Sequence, residues 1–95
     1  MIDISKLNKA FESRVRLGIM SILSVNEYAD FNTMKELLEV TDGNLASHLK
    51  ALEGIQYIES HKQFVERKPN TKYRMTELGK ISFKEHLNAL EELIK

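Results

Sequence analysis

The chain has 95 residues, of which 42% are hydrophobic and 29% charged, and its 14 Lys and Arg balance its 14 Asp and Glu. This composition is typical of one folded domain and argues against intrinsic disorder. The absence of cysteine excludes disulfides, thiolate metal sites and cysteine nucleophiles, and it is compatible with a reducing, cytoplasmic location. No apolar run approaches the ~20 residues of a membrane-spanning helix, so no membrane partner is expected.

The first third of the chain is predicted to be mainly helical. Residues 4–26 read as helix in two pieces that break near Glu12, and Ser13 is expected to cap the second piece because its hydroxyl can accept a free amide. The dense apolar positions from Val15 to Leu23 indicate that this second helix is buried. Residues 28–31 form a connector with room for a short strand.

Two short helices joined by a tight turn are predicted next. Residues 33–36, TMKE, match a capping box, and a helix is expected to run from there to about Val40. Thr41 or Asp42 is expected to cap the following helix. That helix is predicted to end at Gly54, because glycine readily adopts the left-handed conformation that ends many helices.

The second of these helices carries an unusual polar face. Leu45, Leu49 and Leu52 lie within about 60° of one another on a helix and face the core. The remaining face is small and polar, as a helix that enters the major groove requires. An ordinary solvated face is the alternative, and for His48 a packed or solvated histidine. The candidate DNA contacts of this helix are Gly43, Asn44, Ser47, His48 and Lys50.

A β-hairpin with a basic tip is predicted after this helix. Residues 57–65 and 72–76 read as strands, and residues 66–71, with the only proline, Pro69, read as the turn. Thr76 is expected to cap the last helix. Between residues 62 and 74 basic residues outnumber Glu66, the only acid, which favours contact with a polyanion over a merely solubilising tip. The candidate DNA contacts of the hairpin are Arg67, Lys68, Asn70, Lys72 and Arg74.

The last helix has two apolar stripes. Leu78 and Ile81 are expected to pack on the domain. A heptad-like seam on the other side, together with apolar residues near the N-terminus, is expected to pack on a partner chain. The alternative is one wide helix buried within its own chain. The candidate dimer-interface residues are Ile4, Leu7, Phe11, Phe83, Leu87, Leu90 and Ile94, and Ile2 is placed beside them.

The element order predicts an α+β, mostly helical fold, a winged helix-turn-helix in a single domain of residues 1–95. The helix-turn-helix is placed at about 33–54, the wing at about 57–76, and dimerisation helices at about 2–12 and 77–95. The stretches ESRVRLGIMSIL (12–23), NTMKELLEVTDGNLASHLKALEGIQYIE (32–59) and ERKPNTKYRMTELGK (66–80) resemble the small winged-helix transcriptional regulators of bacteria and archaea, near the MarR and ArsR groups.

The resemblance implies a homodimer that binds double-stranded operator DNA in a sequence-specific way. The arsenic-sensing members use cysteine ligands that this chain lacks, and its histidines have no metal-site spacing, so no metal and no cofactor is expected. No phosphate-binding loop or catalytic triad pattern is present, which argues against an enzyme. A winged-helix protein-interaction module and a switch for an unknown small-molecule effector remain as alternatives.

Overall fold

The structure, a computed structural model, describes residues 3–95, and Ile2 therefore lies outside the described residues. It contains four α-helices and a small antiparallel sheet, in the order that the sequence predicts for a winged helix. The elements are a 3-10 helix (Lys9–Phe11), α1 (Arg14–Val25), β1 (Ala29–Asp30), α2 (Phe31–Leu38), α3 (Asp42–Gly54), β2 (Ile58–Val65), β3 (Lys68–Met75) and α4 (Glu77–Leu93).

The segment before α1 is less helical than predicted. Within residues 3–13 the only regular element is a single 3-10 turn, which Asn8 caps by accepting a hydrogen bond from the amide of Ala10. Ser13 caps α1 as predicted, because its hydroxyl accepts from the amide of Arg16 at 3.3 Å. Phe11, the last residue of the 3-10 turn, is fully buried and packs the turn against the rest of the domain.

The helix-turn-helix begins earlier than predicted because Asp30 caps α2. Its carboxylate accepts from the amide of Thr33 at 2.8 Å, so the predicted cap at Thr33 is wrong. That same hydrogen bond lowers the pKa of Asp30. The helix ends before Glu39, which turns left-handed with φ 53°. Thr41 then caps α3 by accepting from the amide of Asn44 at 3.1 Å, which confirms that prediction.

The hairpin turn is shorter than predicted. Glu66 and Arg67 alone form it, with φ 52° and 69°, as a two-residue turn between twisted strands requires. Pro69 therefore lies in β3, opposite Phe64, and its prediction as a turn residue is wrong. β1 pairs with β3 only at residues 72–73, so the edge of β3 is free beside Pro69 and the missing amide is tolerated there.

Hydrogen bonds of Thr76 link the end of α3, the hairpin and α4. Gln56, rather than Gly54, adopts the left-handed conformation after α3, with φ 63°. Thr76 caps α4 as predicted: its hydroxyl accepts from the amide of Gly79 at 2.9 Å and donates to the carbonyl of Gln56 at 2.6 Å. The Thr76 amide also donates to the carbonyl of Tyr57 at 3.1 Å. These bonds fix both ends of the hairpin against the first turn of α4.

The core lies between α1, α2, α3, the sheet and the first half of α4. Phe11 packs edge-on against Phe83 with ring centroids 5.4 Å apart, so one side of α4 is buried by its own chain. Leu78 and Ile81, which were predicted to pack on the domain, are instead 48% and 50% exposed. The prediction for this stripe is wrong because the buried face of α4 is centred on Gly79, Phe83 and His86.

Candidate nucleic-acid interface

Helix α3 has one buried face and one exposed polar face. Leu45, Leu49 and Leu52 are fully buried, which fixes the rotation of the helix about its axis. The opposite face exposes four of its predicted DNA contacts, and His48 on its flank is half-buried. The exposed residues of this face are Gly43, Asn44, Ala46, Ser47 and Lys50. Ala46 was not among the predicted contacts, and its small side chain adds to a surface that a base edge can approach closely.

One ion pair links α2 to α3, and α2 itself packs closely on α1. The ammonium of Lys35 on α2 lies 2.7 Å from the carboxylate of Asp42 in the first turn of α3. Both side chains are well exposed, so this pair contributes only about 0–1 kcal/mol. On the other side of α2, Gly18 of α1 touches Leu38 so closely that a Cβ at position 18 would overlap its side chain. The end of α2 before the turn is therefore held against α1, mainly by this packing.

Arg16 of α1 reaches across to His48 of α3. The guanidinium Nε donates to the imidazole Nδ1 at 2.9 Å, and both residues are half-buried. Burial lowers the pKa of His48, and the nearby charge of Arg16 lowers that pKa further. The sequence did not identify Arg16, because the two residues are 32 positions apart and no local pattern links them.

The tip of the wing is basic and exposed. Arg67 lies in the two-residue turn and Lys68 follows it, and both side chains are exposed. Lys62 on β2 is exposed on the same hairpin. Phe64, opposite Pro69, is also largely exposed, so apolar surface accompanies the charge at this end of the wing.

The other predicted contacts lie further along β3, and these side chains are engaged within the chain. The ammonium of Lys72 lies 4.1 Å from the ring centroid of Tyr28, a cation–π geometry. The Nε of Arg74 lies 3.4 Å from a carboxylate oxygen of Glu59. Asn70 accepts a hydrogen bond from the side chain of Gln63 at 2.9 Å. Arg67 and Lys68 at the tip thus have no ion-pair partner within residues 3–95, whereas these three side chains have partners.

The seam on α4 extends beyond the part that the domain covers. Leu87, Leu90 and Ile94 are 44%, 36% and 85% exposed, and Ile4 and Leu7 lie in the segment before α1 with Ile4 largely exposed. Phe11 and Phe83, also predicted at a dimer interface, are 0% and 5% exposed and pack within their own chain. These two aromatic side chains therefore offer a partner almost no surface.

Residues 3–95 contain neither a metal-ligating cluster nor a membrane-spanning helix. No cluster of three or more His, Asp or Glu side chains in this range has an arrangement that would hold a metal ion. Within the same range, every helix is too short or too polar to cross a membrane.

Comparison with known proteins links this geometry to one family. Residues 15–94 match the model of a family described as winged helix DNA-binding domain. The chain is 38% identical over 87 residues to an uncharacterized protein of Methanocaldococcus jannaschii, with 92% of this chain and 95% of that protein covered.

Solved structures show the same fold. A transcriptional regulator homologue from Pyrococcus horikoshii OT3 superposes with a TM-score of 0.79 at 31% identity, covering 94% of this chain and 93% of that one. The zinc-responsive MarR family member ZitR of Lactococcus lactis superposes with a TM-score of 0.69 at 22% identity, covering 92% of this chain and 59% of that one. At this identity the likeness to ZitR concerns the fold alone.

Proposed function

The chain belongs to the winged helix DNA-binding domain family, and from this premise we propose that it is a homodimeric transcriptional regulator that binds double-stranded DNA in a sequence-specific way. Helix α3 enters the major groove, and the wing follows the neighbouring phosphate backbone. The observation that carries the proposal is the exposed polar face of α3, whose opposite face is locked into the core by three buried leucines.

Base recognition is assigned to the exposed polar face of α3. The amide of Asn44 can pair with the N6 and N7 of adenine, and the ammonium of Lys50 can reach guanine or a phosphate. Gly43, Ala46 and Ser47 have small side chains that let the helix backbone come near the base edges. Thr41 caps the first turn of α3, and the remaining amide N–H groups of that turn point along the helix axis toward its N-terminus, where a phosphate could accept from them.

Phosphate binding is assigned to the tip of the wing. Arg67 and Lys68 are exposed and have no ion-pair partner among residues 3–95. Lys72 and Arg74 are the less suitable candidates because Tyr28 and Glu59 already contact them. We therefore assign to Asn70, Lys72 and Arg74 the task of holding the wing in position.

Dimerisation is assigned to the exposed seam of α4. Leu87, Leu90 and Ile94 recur along one side of the helix, next to its buried face, and Ile4 and Leu7 add apolar surface from the segment before α1. A second copy would cover this seam about a two-fold axis. Two α3 helices would then meet half-sites about one helical turn, ~34 Å, apart on a palindromic operator.

The test of DNA recognition is selection of preferred sites from random duplexes, followed by titration of the best site at several salt concentrations. A palindromic motif supports the proposal. Absence of enrichment, together with a flat salt dependence and specific capture of a protein partner, would instead identify a protein-interaction module.

Two sets of variants distinguish the roles of helix and wing. Asn44→Ala should weaken the binding free energy on the best site by about 1–3 kcal/mol and relax the base preference at one or two positions of that site. Asn88→Ala on α4 removes the same amide group and should leave DNA binding unchanged. Arg67→Ala and Lys68→Ala should weaken all sequences alike and reduce the salt slope by about one unit each. Lys84→Ala, an exposed lysine on α4, is the matched control for charge.

The dimer is tested separately by placing a charge in the seam. Leu90→Glu should convert a dimer into a monomer in analytical ultracentrifugation, because a carboxylate would be buried against the partner. Leu78→Glu changes a leucine on another side of α4, 48% exposed against 36% for Leu90, and should leave the dimer intact. A Leu90→Glu variant that remains dimeric would assign the interface to another surface.

A further inference from the structure

Arg16 contacts the flank of α3 from outside both the helix-turn-helix and the wing. Its Nε lies 2.9 Å from Nδ1 of His48, so α1 and α3 are joined by one specific hydrogen bond between side chains. The first turn of α1 is held by the Ser13 cap, which accepts from the amide of this same arginine. The guanidinium is therefore presented to His48 from a fixed helix end.

The chemistry of this bond determines where the imidazole carries its proton. A guanidinium has only N–H donors and no acceptor, so Nδ1 of His48 must accept through a free lone pair. Burial and the adjacent positive charge of Arg16 both lower the pKa of His48, which favours the neutral ring. A neutral imidazole with an unprotonated Nδ1 carries its hydrogen on Nε2.

The second ring nitrogen is the one that faces away from Arg16. Nε2 makes no hydrogen bond to any residue from 3 to 95, and no buried side-chain nitrogen in that part of the chain lacks a partner, so Nε2 is in contact with solvent. His48 thus holds one nitrogen toward the protein and offers the other outward as an N–H donor.

We propose that Arg16 is a positioning residue of the DNA-binding surface, which holds His48 as the Nε2–H tautomer so that the flank of α3 donates one hydrogen bond to an acceptor on DNA. The acceptor is a purine N7, a guanine O6, a thymine O4 or a phosphate oxygen. The amino groups of adenine and cytosine are excluded, because they are donors themselves. This inference rests on the proposed function, since it requires that α3 meets DNA.

The tautomer is tested on the free protein by long-range ¹H–¹⁵N NMR correlation of the His48 ring at pH 7.5. The unaltered chain should show a protonated Nε2 and an unprotonated Nδ1. Arg16→Met should give a mixture of tautomers and raise the pKa of His48 toward its ordinary value. Arg14 is exposed and lies two residues earlier on the same helix, so Arg14→Met removes an equal charge and should change neither the tautomer nor the pKa of His48. A protonated Nδ1 in the unaltered chain, or an unchanged ring in Arg16→Met, would refute the proposal.

The role in DNA binding is tested by a double-mutant cycle on the preferred duplex. His48→Ala and Arg16→Met should each weaken binding about 3- to 10-fold, the value of one hydrogen bond. The double variant should bind the duplex with no lower affinity than the single variant that binds it less tightly, because Arg16 acts through His48. Losses that multiply would show that Arg16 acts independently, and this part of the proposal would be wrong.

The same titrations separate the two sources of the acceptor. Loss of preference at one base pair in His48→Ala identifies a base acceptor, and an equal loss on all duplexes identifies a phosphate. Failure of the unaltered chain to bind any duplex would refute the proposed function. Normal binding by the unaltered chain, with multiplying losses in the cycle, would refute only the role of Arg16.

Discussion

Replacement of Gly79 by alanine tests the close contact between α4 and the start of the hairpin. A Cβ at this position would overlap the carbonyl oxygen of Tyr57 and lie 2.9 Å from its carbonyl carbon and 3.1 Å from Cγ of Met75. The main obstacle is backbone rather than the end of a flexible side chain. That backbone is itself held, because the Tyr57 carbonyl accepts from the amide of Thr76 at 3.1 Å. Relief of the overlap therefore requires that α4 and the start of the hairpin move apart.

The magnitude follows from three opposing contributions. Extra volume in a packed site costs about 1–3 kcal/mol, and weakening of the Thr76–Tyr57 hydrogen bond costs about 1 kcal/mol. Alanine gains about 1 kcal/mol over glycine in a helix. Gly79→Ala should therefore lower the free energy of unfolding by about 1–3 kcal/mol, which corresponds to a melting temperature lower by roughly 5–20 °C for a domain of this size.

The assay is thermal and urea unfolding monitored by circular dichroism at one fixed protein concentration, since the proposed dimerisation would make the midpoint depend on concentration. Gly54→Ala is the matched control. Gly54 is also helical and does not have a positive φ, and beyond its chain neighbours and its own helix backbone an added Cβ would meet no atom of residues 3–95 within 4 Å. Gly54→Ala should raise the free energy of unfolding by up to about 1 kcal/mol. If both variants gained stability alike, the close approach of α4 to Tyr57 would be refuted.

Two further changes follow from strained or buried groups. Glu66→Asn should raise the free energy of unfolding by about 0.5–1 kcal/mol, because asparagine tolerates the left-handed φ of 52° better, and unchanged denaturation midpoints would contradict this. His86 is 3% exposed, its Nδ1 accepts from the amide of Asn8 at 2.9 Å, and burial lowers its pKa. The unfolded state then binds more protons below the ordinary value of 6.5, so stability should fall as pH decreases from about 6.5. Urea unfolding from pH 7.5 to 5 should show a shallower loss in His86→Gln, and equal slopes would refute this assignment.

Features set by neighbouring residues were predicted well from the sequence. Ser13, Thr41 and Thr76 all cap helices, because a cap depends on one hydroxyl and an amide three residues later. The prediction at Thr33 failed because Asp30 offers a carboxylate three residues earlier, and a charged acceptor makes the stronger cap. Two capping patterns overlapped there, and the local sequence did not decide between them.

The turn of the hairpin was misplaced for a different reason. Pro69 and Asn70 favour turns by propensity, but the pairing of Ile58 with Met75 sets the register of the whole hairpin. Counting outward from that pair brings Val65 opposite Lys68 and leaves only two residues for the turn. The burial of Met75 therefore outweighed local preference, since a shift of one residue would turn its side chain away from the core.

Contacts between distant residues were beyond the reach of sequence patterns. Asn8 and His86 are 78 positions apart, and Arg16 and His48 are 32 apart, yet both pairs make hydrogen bonds of 2.9 Å. Both histidines accept through Nδ1 from a donor on another element. The spacing of residues along one helix predicts which face is buried, but it does not predict which foreign donor meets a given ring.

The charge distribution gives a physical reason for binding DNA as a dimer. The chain has no net charge, and exposed basic residues of α3 and the wing tip region are few: Lys50, Lys62, Arg67 and Lys68. At about 0.9 per phosphate contact, one subunit would give a salt slope of about 3–4, and two subunits about 7. One subunit therefore gains little from counterion release at physiological salt, whereas two subunits on one operator reach the range of specific binders. Leu90→Glu should accordingly halve the salt slope as well as abolish the dimer, and a monomeric variant with an unchanged slope would show that one subunit alone makes all the phosphate contacts.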